Sequence, residues 1–551
     1  DIEMKPEVIE GELIEVIAER KLVRLDVAAS QKSISSNDID QLPVSSVSDV
    51  ISLQAGVSGF SVRGGSYNET MYAIDGIVMN DERTSEPTTG IPLSAIQDIS
   101  VQTGGFGAEY RNVRSGVVNV VTKEGNPDRY SGTISFRNSP PTQKHFGISP
   151  YDKNSFWNRP YFDDDVCWTG TNNGNWDEYT QRQYPSFDGW NSVSQQTLAD
   201  NDPINDLAPS GAQKLFTWEN RKNGAISLPD YNIDAGFGGP VPLLSKKLGN
   251  LRFFASFRSE HDAYLYQVSR PGLNKVSSLI KVTSDLSKSM KLSFSYIAGE
   301  LQATTLSRGG GASYMNDVWD LASQVNMRGF TMPWRLFTDI YWSSSTVNNA
   351  TTAMKLTHQL SHRSFYEVLV KFDEKNYHTW HGARRDTTRD NEILDGYYVD
   401  DSPEGFWGSP YFSVDGRLAF GGAVSTARDT SIIRSFTIKS DLTSQYNRTN
   451  QIKAGMEFVY NDLDLQFGSR NEFLPEGNYW TSMTQQPYRL SMYAQDKLEH
   501  QGFVAIAGLN LDFVNPNGEW YVLDVYDEQF YSSNYSPEQD DQYQKEKLKI
   551  D

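Results

Sequence analysis

After Tyr130 the chain alternates between apolar and polar positions in a series of short runs. The apolar members of five runs are Leu251, Phe253, Ala255 and Phe257; Leu292, Phe294, Tyr296 and Ala298; Tyr366, Val368, Val370 and Phe372; Ile452, Ala454, Met456, Phe458 and Tyr460; and Phe503, Ala505, Ala507, Leu509, Leu511 and Phe513. A period of two places successive side chains on opposite faces of a β-strand. Each run covers about nine to twelve residues, the length that a tilted strand needs to cross a bilayer. The pattern therefore predicts membrane-crossing strands with one apolar face.

Short and long links alternate between these runs. Tight links occur at "LSKSM", "LSHRS", "YNRTN" and "LEHQG", and long polar links occupy roughly 139–229, 305–349, 380–432 and 467–487. Transmembrane β-barrels have short turns at one end and long loops at the other. The link around "SRPGLNK" is short where a long one is expected, so the alternation is imperfect.

The runs add up to about eleven strands, from "SGTISFR" to "FVAIAGLNLDF". A sheet of this size that does not close would leave two unpaired edges in lipid, which is energetically unfavourable. We therefore expect the 551 residues to hold only part of a barrel, with the stretch after Asn515 leading toward a further strand.

Composition narrows the class of protein further. No run of about 18 uncharged apolar residues is present, which excludes membrane-spanning helices. The net charge of −20, from 70 acidic and 50 basic residues, argues against nucleic-acid binding. Cys167 is the single cysteine, so no internal disulfide can form.

The chain ahead of Tyr130 has a different pattern, that of a small α/β unit of about a hundred residues. "SSNDIDQLP" predicts a capped helical turn ended by Pro43, and "SSVSDVISLQ" predicts a second short helix with serine caps. "GFSVRGG", "MYAIDGIVM", "IQDISVQTGG" and "SGVVNVVTKEG" predict short strands separated by glycine.

The segment from Phe60 to Lys123 resembles the plug domain of TonB-dependent outer-membrane receptors. It carries "FSVRGG", "AIDGIVMND" and "IPLSAIQDISVQTGGFGAEYRNVRSGVVNVVTKEG" in the order and spacing of the family's signatures. The resemblance implies a mainly β fold: an antiparallel transmembrane β-barrel of about 22 strands when complete, about eleven of them here, with the α/β plug inside its lumen. The implied domains are an energy-coupling segment over 1–23, the plug over 24–129 and the N-terminal part of the barrel, with long extracellular loops, over 130–551.

The resemblance also singles out a set of plug residues. Glycines allow the close backbone approach and positive φ that tight plug packing needs. Arg63, Glu109, Arg111 and Arg114 are expected to hold the plug reversibly by charge-assisted contacts with plug or wall. The family's usual aromatic-glycine pair is replaced here by Tyr110 and Arg111. The predicted plug-motif residues are Arg63, Gly64, Gly65, Asp75, Gly76, Gly104, Gly105, Glu109, Arg111, Gly116 and Asn119.

In this family, a short segment ahead of the plug pairs with periplasmic TonB by strand addition, and the inner-membrane proton gradient pulls on it. The candidate here is "LIEVIAER". Its apolar residues Ile14, Val16 and Ala18 stand at every second position, and its charged residues suit an edge strand. A disordered linker is the alternative interpretation. The predicted TonB-interacting residues are Leu13, Ile14, Glu15, Val16, Ile17, Ala18, Glu19 and Arg20.

The sequence signals for a metal, phosphate or calcium site are weak. We expect no catalysis, no cofactor and no bound metal. His378 and His381 form an HxxH pair without a third ligand, "SRGGGAS" lacks a phosphate-loop lysine, and "YFDDDVCW" lacks calcium-loop spacing. Aromatic residues in the long loops, as in "NSFWNRPYF", "WTGTNNGNWDEY", "EGFWGSPYF" and "EGNYW", suit stacking on sugars or holding peptides. Packing the loops together and lining the membrane interface is the competing interpretation, and no substrate-binding residue can be named.

The resemblance implies TonB-dependent active transport of a nutrient, an oligosaccharide, peptide or metal chelate, across the outer membrane of a Gram-negative bacterium. The expected partners are periplasmic TonB, outer-membrane lipid and the extracellular nutrient, with a surface lipoprotein as a further candidate. One alternative is a structural or docking barrel of a surface or secretion complex. Another is a soluble extracellular β-rich binding protein.

Overall fold

The computed structural model describes most of the chain after residue 30. The described residues are 31–87, 90–110, 113–199, 201, 203, 206–219, 225–266, 268–305, 315, 318–325, 342–381, 386–401, 412–414, 418–420, 425–470, 479–500, 503–521 and 547–549. The predicted TonB-interacting segment and Arg111 lie outside them.

The N-terminal unit contains a five-stranded sheet in the order β1-β6-β7-β4-β5 and a small β2–β3 hairpin. The predicted capped helices are confirmed, since Ser35 and Ser46 each form a capping box with the aspartate three residues later. The elements are β1 Gln31–Ser35, α1 Ser36–Asp40, α2 Val47–Ser52, β2 Val57–Ser58, β3 Ser61–Val62, a 3₁₀ turn Tyr67–Glu69, β4 Thr70–Ile74, β5 Ile77–Val78, a 3₁₀ turn Leu93–Ala95, β6 Ile96–Gln102 and β7 Gly116–Thr122.

Among the described residues from Ser131 onward, 13 strands form one antiparallel sheet, here called the wall. Without the short β19 and β22, eleven strands follow one another up and down, as predicted. They are β8 Ser131–Ser139, β9 Asp230–Pro240, β10 Arg252–Ala263, β11 Gly272–Ser287, β12 Met290–Thr305, β13 Ser343–Ser361, β14 Ser364–Trp380, β20 Ile432–Gln445, β21 Asn450–Ser469, β23 Tyr488–His500 and β24 Phe503–Asn515. The short strands are β15 Asp386–Leu394, β16 Tyr397–Asp401, β17 Phe412–Val414, β18 Leu418–Phe420, β19 Ala427–Asp429, β22 Tyr479–Gln485, β25 Glu519–Tyr521 and β26 Lys547–Lys549.

The links follow the predicted asymmetry. At one end of the wall, two-residue turns at 288–289 and 362–363 connect successive strands. At the other end, the strands are joined by the long links 140–229, 306–342 and 381–431. The short link 264–271 at the long-loop end is confirmed. Two loop bounds were wrong: β13 begins inside the predicted loop 305–349, and β22 pairs with β21 inside the predicted loop 467–487. Paired strands can extend beyond a bilayer because their ladder satisfies the backbone in either solvent.

The outer face of the wall is apolar and carries one aromatic row. Register pairs Tyr296 with Thr352, Thr352 with Phe372 and Phe372 with Phe436, and the row continues to Tyr460 and Tyr488. These aromatic side chains are all 37–45% exposed. Aromatic girdles of this kind mark the membrane–water interface of β-barrels. Among the described residues, no helix is long and apolar enough to cross a membrane.

The long link 140–229 contains a helical cluster with its own core. Its helices are α3 Arg159–Phe162, α4 Glu178–Gln183, α5 Trp190–Ala199 and α6 Pro209–Glu219; the remaining helical elements are a 3₁₀ turn Ser245–Lys247 and α7 Val318–Val325. Tyr161, Trp190 and Phe216 are buried together, against Leu394 of the β15–β16 hairpin. For these aromatic residues, loop packing is the interpretation that the structure favours.

The wall wraps around the N-terminal unit, here called the plug. At one edge, Arg137 of β8 donates to the carbonyl oxygen of Val44 at 2.8 Å. At the other, Asn510 of β24 donates to the carbonyl oxygen of Ala108 at 3.3 Å. The same small unit thus contacts both ends of the sheet, so its polar side chains meet the inward face of the wall.

Candidate functional site

The Arg63-Gly64-Gly65 segment makes a tight turn within the plug. Arg63 and Gly64 have φ values of 53° and 77°. A Cβ on Gly65 would lie 2.5 Å from Cβ of Ser115, and a Cβ on Gly104 would lie 3.1 Å from Nη1 of Arg63. The Arg63 side chain is exposed, and the described part of the chain provides no acidic partner for it. The motif glycines at 65 and 104 therefore make room for neighbouring plug groups.

This turn gives a test of plug packing. Gly65→Ala is expected to destabilise the plug by about 1–3 kcal/mol, because its Cβ would overlap Ser115. Gly64→Ala is the matched control: nothing lies within 4 Å of its Cβ position, so only the strain of positive φ remains, about 1 kcal/mol. Hydrogen exchange of β7 amides in the intact protein measures both changes. Equal effects, or a larger one at Gly64, would contradict this account.

Asp75 links three parts of the structure. Asp75 and Gly76 have φ values of 53° and 85° and form the turn between β4 and β5. The Asp75 carboxylate accepts from the backbone N–H of Thr122 at 2.9 Å and from Nζ of Lys281, on β11 of the wall, at 3.1 Å. Asn119 accepts from the Gly76 N–H at 3.2 Å. The motif thus couples the plug turn to the wall.

A second carboxylate, Glu124, lies at the short-turn end of the wall. It pairs with Arg252 at 2.9 Å and with Lys291 at 3.3 Å. Burial alone would raise the pKa of Glu124, but the Arg252 hydrogen bond and nearby lysine charges hold it below its usual value. Arg252 also pairs with Asp285 at 2.9 Å, so the cluster is an ion-pair network between plug and wall.

Glu109 makes the contact with β21. Nζ of Lys453 lies 2.9 Å from its carboxylate, and both side chains are mostly buried. The N–H of Ala108 donates to Gln495 of β23 at 2.7 Å. Burial raises the pKa of neighbouring Tyr110 to about 12, so its hydroxyl stays neutral. Arg114, by contrast, is exposed, and its contact is weaker: its Nη1 lies 3.8 Å from the carboxylate of Glu69 in the plug.

One buried ion pair between plug and wall was not predicted from the sequence. Arg83, in the plug turn after β5, pairs with Asp429 of β19 at 2.9 Å, and the two side chains are 8% and 2% exposed. Its guanidinium lies 3.9 Å from the ring centre of Tyr377. Among the described residues, Nε and Nη2 of Arg83 have no hydrogen-bond partner. The arginine is therefore held by one carboxylate, by the Ser431 hydroxyl at 3.4 Å and by an aromatic face.

Asp81 completes this outer contact. The group formed by Asp81, Arg83, Lys375, Tyr377 and Asp429 is called the latch below. The Tyr377 hydroxyl donates to Asp81, and Nζ of Lys375 lies 3.8 Å away. Burial would raise the pKa of Asp81, but Lys375, the Tyr377 hydrogen bond and Arg83 hold it below its usual value. Asp81 belonged to the quoted "AIDGIVMND" motif, yet no sequence signal marked Arg83 or its partners, since the paired residues lie far apart in the chain.

On the β9 side, the wall contacts the plug through a backbone cap. The Asp234 carboxylate accepts from the N–H groups of Leu93 and Ser94, at 2.6 and 3.1 Å. These open the 3₁₀ turn Leu93–Ala95, whose preceding Pro92 makes no side-chain cap. Asp234 is 6% exposed. A wall carboxylate therefore satisfies plug donors that would otherwise be unpaired.

A cavity of about 940 Å³ lies between plug and wall. The plug side presents β4, β5 and β7, and the wall side presents the inward faces of β11 to β14, β20, β21 and β23. The charged lining residues are Asp75, Asp81, Glu82, Glu109, Glu124, Lys281, Lys291, Lys355, Glu367, Lys371, Lys439, Asp441, Lys453, Glu457 and Arg489. The cavity is a polar space with both signs of charge.

Of the competing sites, "SRGGGAS" lies outside the described residues. His378 stacks near Trp380, with 6.4 Å between ring centres. Within the described ranges, no group of three or more metal-ligating side chains is present. Cys167 is buried, and burial raises the pKa of its thiol to about 11, which makes it unreactive.

Comparison with known proteins agrees with this geometry. Residues 23–118 match the family model of the TonB-dependent receptor plug domain. Over 148 residues, 24% of this chain and 14% of the relative, the sequence is 22% identical to the TonB-dependent transporter Oar of Myxococcus xanthus. The siderophore receptor PirA of Acinetobacter baumannii has a TM-score of 0.51 at 13% identity, over 89% of this chain and 57% of that one. The outer membrane transporter YddB of Escherichia coli has a TM-score of 0.50 at 12% identity, over 89% and 58%.

At such identities the solved structures establish the fold, an antiparallel β-barrel type with an internal plug. The chain spans a seventh of the curated relative and little more than half of the solved ones. Residues 23–118 therefore belong to the TonB-dependent receptor plug domain family, and the two solved structures share the fold of the chain that surrounds this domain. The predicted domain limits, 1–23, 24–129 and 130–551, remain predictions beside the matched range 23–118.

Proposed function

We propose that the chain belongs to an active importer that takes up a nutrient through the outer membrane, with the plug as its gate. The supporting observation is the interface between plug and wall. A small unit fills the space inside the sheet, and separate ion pairs at Asp75, Arg83 and Glu109 attach it to different wall strands. Such contacts can exchange partners with water, which suits a gate that opens and closes.

The proposed substrate class is a polar nutrient: a metal chelate, oligosaccharide or peptide. A metal chelate is the first choice because one structural relative is a siderophore receptor. The polar cavity between plug and wall supports a hydrophilic cargo of any of the three kinds. The loop aromatics of the 140–229 link that are buried in their own core are not proposed as ligand contacts.

The proposed energy source is periplasmic TonB, acting on Leu13–Arg20 at the start of the chain. This segment precedes β1, which among the described residues is an edge strand of the plug sheet and pairs with β6. A pull applied ahead of Gln31 would reach the plug through β1 first. The proposed location is the outer membrane, with the apolar outer face of the wall against lipid and a surface lipoprotein as a candidate partner.

The test is uptake by cells that produce the receptor from its complete gene. Replacing Leu13–Arg20 by a glycine-serine linker of equal length is expected to reduce import of radiolabelled ferric siderophores to the level seen with a protonophore. The same replacement of residues 5–12 is the matched control and should leave uptake unchanged. Labelled oligosaccharides and peptides are tested in the same way.

The second candidate, a structural or docking barrel, predicts a different outcome. A receptor that inserts correctly, as judged by heat-modifiable migration, yet imports none of the three substrate classes would support it. Import that continues in the presence of protonophore would also contradict the active transporter.

A further inference from the structure

The link 241–251 between β9 and β10, here called the leucine turn, is longer than the other turns at its end of the wall. It presents three leucines to its surroundings: Leu243 is 93% exposed, Leu244 46% and Leu248 51%. Leu243 has a φ of 63°, in the left-handed region that a leucine rarely adopts. Exposed apolar groups that lie together mark a contact surface. These leucines therefore need a partner other than water.

The backbone of the leucine turn is paired to a large extent within the turn itself. Ser284 on β11 also donates from its hydroxyl to the carbonyl oxygen of Leu248 at 2.8 Å, and the Asp285 N–H donates to that of Gly249 at 2.6 Å. A segment with paired backbone groups can lie at a membrane surface, because few of its N–H and C=O groups need water. The N–H groups that donate to carbonyl oxygens of the same turn are those of Val241, Leu244, Ser245, Lys247, Leu248 and Leu251.

The leucine turn lies beside the outer face of the wall. On β11, Ile280 is in register with the aromatic row, and Ser284 stands on the same outer face four residues nearer to the short turns. The β10 strand begins at Arg252, whereas β11 continues past it to Ser287. Leu286, at this end of β11, is 54% exposed. Because Ser284 bonds to the leucine turn, the turn extends the apolar outer face on the side of β9 and β10.

The charges of the turns at this end of the wall fit an anionic partner. Lys246 and Lys247 of the leucine turn are exposed. The turns 288–289, 362–363 and 446–449 each carry a lysine or an arginine and no acidic residue. The whole chain has a net charge of −20, so these basic turns do not follow from its composition. Lysines next to an apolar surface are attracted to the phosphate groups of anionic lipids.

We infer that the leucine turn is a membrane anchor for anionic phospholipid. Leu243, Leu244 and Leu248 insert into the leaflet on the short-turn side, and Lys246 and Lys247 contact the lipid phosphate groups. The inference rests on the proposed membrane location and adds a specific lipid contact that fixes β9 and β10 at their depth in the bilayer. A protein partner, or the rest of the complete chain, is the alternative occupant that the test must exclude.

The first test measures what surrounds Leu243. The receptor from its complete gene, with Cys167→Ala, carries a nitrobenzoxadiazole label at Leu243→Cys and is reconstituted in vesicles of phosphatidylethanolamine and phosphatidylglycerol. Phospholipid with a spin label in its acyl chain should quench this label, and aqueous iodide should not. Leu198→Cys is the matched control, because Leu198 is 63% exposed in the helical cluster, and it should respond only to iodide. Ile438→Cys, on the apolar outer face, should respond only to lipid.

The outcomes separate the anchor from the proposed function. Iodide quenching at Leu243→Cys would overturn the anchor, and protection from both quenchers would overturn it in favour of a protein contact. If lipid fails to quench the label at Ile438→Cys as well, the proposed membrane location is wrong. If lipid quenches there and not at Leu243→Cys, the anchor alone is wrong. Neither result depends on cargo or on TonB.

The second test measures the headgroup preference with the same label at Leu243→Cys. Spin-labelled phosphatidylglycerol should be enriched beside it about fivefold over spin-labelled phosphatidylcholine, as expected for lysine near an anionic surface. Lys246→Gln/Lys247→Gln should abolish this enrichment and leave quenching from the acyl chain unchanged. Lys214→Gln, at an exposed position of α6, is the matched control and should have no effect. Equal quenching by the two lipids in the parent, or enrichment that persists in the double variant, would contradict the anionic contact.

Discussion

Replacing Arg83 by methionine is expected to weaken docking of the outer plug turn by about 3–5 kcal/mol, since the change leaves the buried Asp429 carboxylate without its cation. Asp429 is 2% exposed and keeps only the N–H of Ser431, 2.9 Å away, as a described donor. Methionine preserves much of the volume over the Tyr377 ring, so lost charge dominates the effect. Hydrogen exchange of the amides at 81–86 in the membrane-inserted receptor measures the opening free energy.

The double variant Arg83→Met/Asp429→Leu is the control for this prediction. Replacing both members of a buried pair by apolar groups is often close to neutral, because neither charge then needs solvation. We expect it to recover most of the lost opening free energy. If the single variant lowers the opening free energy by less than about 1 kcal/mol, the contact is a solvent-screened ion pair and contributes little to docking of the plug turn.

Mildly acidic pH is not expected to break the contacts of Asp81 in the latch. Burial would raise the pKa of Asp81, but Lys375, the Tyr377 hydrogen bond and Arg83 hold it below its usual value. A carboxylate with a depressed folded pKa contributes stability above its unfolded pKa and loses it only as pH falls through the folded value. Asp81 is therefore expected to keep its negative charge, and with it its contacts to Lys375 and Tyr377, at neutral and mildly acidic pH.

The wall was predictable because its two faces differ in polarity. An apolar outer face and a polar inward face impose a two-residue period on each strand, so Phe294, Phe372 and Phe458 could be assigned to one face before any pairing was known. The short plug helices could be predicted from local sequence as well, because each begins at a serine cap with an aspartate three residues later. Strand bounds at the outer end were not predictable, since pairing continues past the apolar band, as at Ser343.

The interface between plug and wall could be predicted only in part. Asp75 and Glu109 stand in motifs, but their partners Lys281 and Lys453 alternate with apolar residues in the same way as any other inward-facing lysine. Arg83 and Asp429 lie 346 residues apart, and neither has a local pattern that marks it. Contacts of this kind depend on how a globule fits a curved sheet, which short-range periodicity does not encode.

The apolar outer face of the wall gives the second large prediction. Ile438→Arg is expected to destabilise the inserted wall by about 2–4 kcal/mol, because it places a charge on the apolar outer face between the aromatic row and the short turns. Ile438 is 39% exposed on that face, in register with Val370 and Phe458. Unfolding from lipid vesicles in guanidinium chloride measures the change.

Two substitutions test whether depth and face cause this effect. Thr437→Arg changes the adjacent residue, which lines the polar cavity, and should cost far less because water and carboxylates can solvate the guanidinium there. Tyr460→Arg lies on the outer face but in the aromatic row, and should cost about 0–1 kcal/mol, as expected near an interface. Equal losses at Ile438 and Thr437 would mean that the outer face does not meet lipid, because only a low-dielectric solvent distinguishes two neighbouring positions on opposite faces of one strand.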